Sequence, residues 1–172
     1  MKKAVVILFL VFLAGKAYAQ AGDLTIGALG GYETKYKSPL YGLNLSYNVN
    51  NPVQISLTGL MNPDIFKKDD WNKEDDKNLA LYSVNLDVRF FLINMDSWAT
   101  GPSIGAQYLD IQYKGKNSIY SYNAWGANIG WHLQVNLTDN LKINGGWHYS
   151  TVSESSSYSL FYLGVGYAFN LF

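Results

Sequence analysis

The side chains of this chain best suited to metal or proton chemistry are its two histidines, His132 and His148, and the carboxylates gathered between Pro63 and Lys77. A zinc-type site built on the histidines would need both on one face and a third donor beside them, and no third ligand is indicated. The 63–77 segment holds Asp64, Asp69, Asp70, Glu74, Asp75 and Asp76 beside Lys67, Lys68, Lys73 and Lys77. Clustered carboxylates suit Ca²⁺. Their order lacks the D-x-[DN]-x-[DN]-G-x₅-E spacing of a calcium loop, so the segment reads as a solvated loop. Within it Phe66 and Trp71, with Asp69, Asp70, Asp75 and Asp76, are the contact candidates for a partner. A third group is Asp87 and Arg89, two residues apart, with Lys142. Neither a metal nor a cofactor is expected.

The composition narrows what these groups can belong to. Of 172 residues, 48% are hydrophobic, 16% aromatic and 15% charged, which is not the make-up of a disordered chain. Thirteen basic residues balance thirteen acidic ones, leaving no excess to neutralise phosphates, so nucleic acid is not a partner. With no Cys there is no disulfide, no thiolate metal site and no lipidated cysteine. Residues 1–19 read as a signal peptide: Lys2 and Lys3 start it, Ala4 to Ala14 form the apolar run, and Ala17-Tyr18-Ala19 is an A-x-A cleavage site. Eleven apolar residues fall short of the roughly 20 that a spanning helix needs. Residues 20–172 then form one exported domain. It loses Lys2, Lys3 and Lys16 and carries a net charge of −3.

The groups must be positioned by strands, because the chain alternates with a period of two. Tyr41, Leu43, Leu45, Tyr47 and Val49 face away from Gly42, Asn44, Ser46 and Asn48. The same division recurs over 53–61, 80–90, 125–133, 141–149 and 161–169, and more weakly over 23–33 and 97–109, which makes eight strands. Connections also alternate. The clusters at 50–52, 94–96 and 138–140 are tight turns, and the segments near 34–38, 63–77, 110–119 and 151–157 are polar loops. An up-and-down barrel would carry turns on one rim and loops on the other.

Side-chain volume decides which face points inward. Eight strands enclose an interior just wide enough for side chains. Small and polar residues fit that lumen, whereas the Trp and Tyr of every strand would not. The apolar faces carry no Asp, Glu, Lys or Arg, while Asp87, Arg89, Lys142, His132 and His148 fall on the small, polar face. An Arg or Lys on a lipid face near the midplane costs about 2–4 kcal/mol. Tyr41, Tyr47, Tyr82, Trp98, Trp125, Tyr149 and Tyr167 stand at or near strand ends, where amphipathic rings favour the headgroup level. Asp87, Arg89 and Lys142 are accordingly expected to form a charge network inside a plugged polar lumen.

Trp125-Gly126-Ala127-Asn128-Ile129-Gly130-Trp131, running through Leu137-Thr138-Asp139-Asn140-Leu141 into the next strand, and the C-terminal Phe161 to Phe172 resemble the small eight-stranded outer-membrane barrel proteins, the group containing OmpX and the membrane domain of OmpA. The resemblance implies an all-β, eight-stranded antiparallel up-and-down transmembrane barrel in a Gram-negative outer membrane. A fully patterned barrel with no convergent catalytic group is expected to be a non-enzymatic structural, surface-interaction or accessory component, in contact with lipid and lipopolysaccharide and with a protein partner at the loops. The resemblance further implies recognition of Leu163-x-Val165-x-Tyr167-x-Phe169 by the barrel-assembly machinery, with Phe172 out of phase with that face. A second, local likeness joins Trp147-His148-Tyr149-Ser150, Glu154 and Tyr158-Ser159-Leu160-Phe161-Tyr162, which looks like the end of the PagL-type lipid A deacylases. There it implies Ser150 as nucleophile, His148 as base and Glu154 as orienter. Parity turns His148 and Ser150 to the lumen, away from an ester arriving from the membrane. The deacylase is therefore the alternative reading, and a small-solute channel the lower one.

Overall fold

The computed structural model describes residues 22–50, 52–62, 79–114, 119–152 and 157–170. They form β1 (Asp23–Glu33), β2 (Ser38–Asn50), β3 (Val53–Met61), β4 (Leu79–Phe90), β5 (Ile93–Asn94), β6 (Trp98–Lys114), β7 (Ile119–Asn136), β8 (Leu141–Val152) and β9 (Tyr158–Asn170). The two-residue β5 only stiffens the turn before β6. The other eight are the staves of an antiparallel barrel. Each pairs with the next along the chain, β4 pairs with β6, and β1 closes the ring on β9 from Asp23↔Asn170 to Glu33↔Leu160. Closure leaves no open edge, which a sheet in hydrocarbon cannot tolerate. The eight-stranded, all-antiparallel architecture expected from the alternation is therefore the one observed. The shortest stave, β3, has 9 residues, enough for a tilted strand to cross a bilayer core.

The outer surface is apolar along every stave. Leu43, Leu57, Leu86, Ile104, Trp125, Leu163 and Phe161 are all exposed, and all seven aromatics placed by the sequence at strand ends have outward parity. One outward group shows how a polar atom is managed there. Trp131 donates its indole N–H to Thr100 Oγ1 at 2.8 Å, and Thr100 Oγ1 donates to the carbonyl of His132 at 2.7 Å. Replacing Thr100 with Val keeps the shape and takes away the partner of the indole N–H. We expect a loss of about 0.5–1.5 kcal/mol in urea unfolding from phospholipid vesicles. A Thr100→Val barrel as stable as wild type would show that the indole needs no partner.

One boundary differs from the sequence expectation. The loop read over 110–119 is largely ladder, since β6 continues to Lys114 and β7 starts at Ile119. Outward pairs in this extension are Asp110↔Asn123 and Gln112↔Ser121. Both faces of a hairpin standing above the bilayer can be polar outside, so the apolar-out signature ends before the strand does. The β1–β2 turn falls where expected, and the Glu33 carboxylate holds it by accepting the backbone N–H groups of Lys35 at 2.8 Å and Tyr36 at 2.6 Å. Lys37 takes the left-handed conformation at φ 51° to complete that turn.

The interior has two layers, where one polar lumen was expected. On the loop side Leu29, Leu40, Leu60, Leu81, Leu109, Ile111 and Leu160 point inward and pack with Tyr158 and Tyr162 into an apolar cluster. On the turn side the interior is polar, from Thr58 and Asn85 down to Gln134 and Lys142. The leucines share the parity of the polar residues but occupy the loop-side ends of their strands. A narrow barrel mouth excludes water best when filled with aliphatic side chains.

Candidate functional site

Parity does put Asp87, Arg89, Lys142, His132 and His148 inside the barrel, each no more than 4% exposed. Inside, the three charges do not form one network. Lys142 pairs with Asp23, Nζ to Oδ2 at 3.2 Å, at the turn rim. There the interior opens into a recess of about 730 Å³ lined by Asp23, Asp96, Asn136, Asp139, Asn140 and Lys142. Arg89 bonds neutral partners instead: Nη1 donates to Gln54 Oε1 at 3.0 Å and lies 3.5 Å from His132 Nε2. Gln54 in turn donates to Asn48 Oδ1 at 2.8 Å. Asp87 faces His148, with Oδ2 3.9 Å from Nε2. Asp87, Arg89 and Lys142 thus do not bond one another: each side chain reaches a partner on another stave, Lys142 at the turn rim and Arg89 and Asp87 on either side of the histidines.

The two histidines meet around a tyrosine that strand patterning left unassigned. His132 Nδ1 is 3.0 Å from the Tyr162 hydroxyl, and the two rings lie nearly parallel with centroids 6.2 Å apart. His148 meets the same Tyr162 ring edge-on at 5.1 Å. Tyr162 sits on the inward parity of β9, one residue after Phe161; that parity was the available signal for it. Above these rings Gln107 donates to Ser83 Oγ at 3.0 Å and to the Tyr158 hydroxyl, which closes the polar layer against the leucines.

Of the deacylase likeness, the described pair Ser150 and His148 is not hydrogen-bonded. Ser150 is 1% exposed on the inward face of β8, opposite Tyr158 in the β8–β9 ladder. His148 makes no hydrogen bond through either ring nitrogen among the described residues. A serine nucleophile needs its base within hydrogen-bond reach. Glu154 lies outside the described residues, as do Phe66, Trp71, Asp69, Asp70, Asp75, Asp76 and the leader 1–19.

An outer-membrane β-barrel domain model matches residues 5–169, nearly the whole chain. The chain belongs to the outer-membrane β-barrel domain family. As such it is an integral protein of the bacterial outer membrane, crossing by strands; no helix among the described residues is long and apolar enough to cross one. This outer-membrane barrel resembles the N-terminal β-barrel domain of Pseudomonas aeruginosa OprF, at 18% identity and a TM-score of 0.67 over 87% of this chain and 100% of that one. It is also similar to Ail, the attachment invasion locus protein of Yersinia pestis, at 19% identity and TM-score 0.56 over 86% and 97% of the two chains. Neisserial surface protein A is similar at 13% identity and TM-score 0.52 over 87% and 97%. These likenesses concern the fold. No curated protein matches the sequence.

Proposed function

We propose that this barrel is a closed, non-catalytic component of the outer membrane, with a structural, surface-interaction or accessory role carried by its rim and its lipid face. The observation that supports this is the layer of leucines across the loop-side mouth. Leu60, Leu81, Leu109 and Leu40 are at most 2% exposed. An interior filled with side chains leaves no water-lined route for solute, and a hydrophobic constriction resists wetting. Ser150 and His148 lie behind that layer, facing away from the lipid in which an acyl ester would be presented. The partners of the reading are outer-membrane lipid and lipopolysaccharide at the aromatic rings, a protein at the extracellular loops, and the barrel-assembly machinery during insertion. Export with removal of residues 1–19 belongs to the same proposal.

Two measurements test it. Lipid A from cells with and without the protein should have identical mass spectra. Loss of one acyl chain that is abolished by His148→Ala would replace this reading with the deacylase. In planar bilayers the purified barrel should be silent; steady unitary currents would replace it with the channel.

A further inference from the structure

We propose that the lumen holds a single divalent transition-metal ion between Asp87 and His148, with Asn128 and Ser103 completing its surroundings. The argument begins with two glycines. Asp87 on β4 leans over Gly105 on β6: a Cβ built on Gly105 would lie 2.3 Å from Asp87 Oδ1. His148 on β8 leans the opposite way over Gly130 on β7, where a Cβ would lie 2.5 Å from its Cδ2. The two side chains therefore cross the intervening strands toward one another and stop with Oδ2 and Nε2 3.9 Å apart. That gap is too long for a hydrogen bond. It lies within the span of two donors on one ion, each roughly 2.0–2.2 Å from the metal.

Register places two more polar groups on the two strands between them. Asn128 is opposite Gly105 across the β6–β7 ladder, and Ser103 is opposite Gly130. All four side chains are no more than 4% exposed. Both oxygens of Asp87, both ring nitrogens of His148, both amide atoms of Asn128 and the Ser103 hydroxyl lack a hydrogen-bond partner among the described residues. Buried polar atoms are almost always paired, and these four side chains carry seven of the fourteen unpaired ones among the described residues, which marks a place built around something else. A carboxylate taken out of water needs a counter-charge, and Arg89, two residues on along the same inward face, sends its Nη1 to Gln54 and His132 and leaves its Nε unpaired. One imidazole nitrogen with carboxylate and amide oxygens suits Zn²⁺, Co²⁺ or Ni²⁺ better than a hard alkaline-earth ion. No three His, Asp or Glu side chains converge on a metal geometry among the described residues, so this is a two-anchor site of moderate affinity.

The test uses the whole exported chain, refolded in detergent with and without Co²⁺ or Zn²⁺. Calorimetry should give one ion per chain, and Co²⁺ should develop a visible absorption band of mixed oxygen and nitrogen ligation. Asp87→Asn and His148→Gln should each weaken association by at least about tenfold, while His132→Gln, outside the crossing point, should leave it unchanged. Heat-dependent gel migration reports folding of each variant. The wild-type Co²⁺ band, which needs no variant, must be present in any case. Absence of saturable binding would overturn the proposal. So would binding that persists in folded Asp87→Asn and His148→Gln proteins, since the ion would then sit on the acidic 63–77 segment.

Discussion

Replacing Leu86 with arginine is expected to destabilise the folded barrel in phospholipid vesicles by about 2–4 kcal/mol, the cost of a cationic side chain at the bilayer midplane. Leu86 is 52% exposed on the outer face of β4 and stands in the outward row Leu45, Leu57, Leu86, Ala106, Ala127. That row lies between the polar Asp110↔Asn123 step on the loop side and the turns on the other. Every position in it carries an aliphatic side chain. Leu92 supplies the comparison. It is 70% exposed too, but it lies in the turn between β4 and β6, near the interface, where arginine costs only about 0–1 kcal/mol. Denaturant titrations of both variants should separate by more than 1 kcal/mol. Equal penalties at the two positions would mean that the apolar exterior does not sit in hydrocarbon.

That contrast also explains why so much of the fold could be read from the sequence. A membrane barrel places one solvent against one whole face of every strand, so Leu43, Leu57, Leu86 and Leu163 repeat a single requirement across stave after stave. Parity then carried Asp87, Arg89, Lys142 and both histidines to the inside correctly. It could say nothing of their partners. Lys142 meets Asp23, 119 residues away, and Arg89 meets His132, 43 residues away, each over one intervening stave whose place is set by barrel closure. The leucine layer was hidden for another reason. Leu60, Leu81 and Leu109 interrupt the alternation by placing apolar residues on both parities. Such an interruption reads locally as a fading strand until closure brings all the interruptions to one height. The extension of β6 and β7 escaped for the complementary reason, being polar on the outer face, where water replaces lipid.

The leucine layer leads to the second large effect. Leu81 is 1% exposed and Leu60 is 0% exposed, on adjacent strands and facing one lumen. Truncating a buried leucine of this kind to alanine typically costs about 2–5 kcal/mol, whereas Leu86→Ala, which only trades one apolar contact for lipid, should cost far less. The polar exchange tests the role of the layer more sharply. In Leu60→Ser/Leu81→Ser two adjacent hydroxyls would break the aliphatic layer above an interior already rich in Asn, Gln and Ser, from Gln107 down to the Asp23–Lys142 rim. Dewetting at an apolar constriction is what stops ions there, so hydrating it should admit them. The double variant is expected to show discrete currents in planar bilayers where the wild type is silent, and to lose stability in the same denaturant titration. A double variant that folds, by its heat-dependent gel migration, yet remains silent would shift the barrier from the leucines to the Gln107, Tyr158 and Tyr162 layer beneath them.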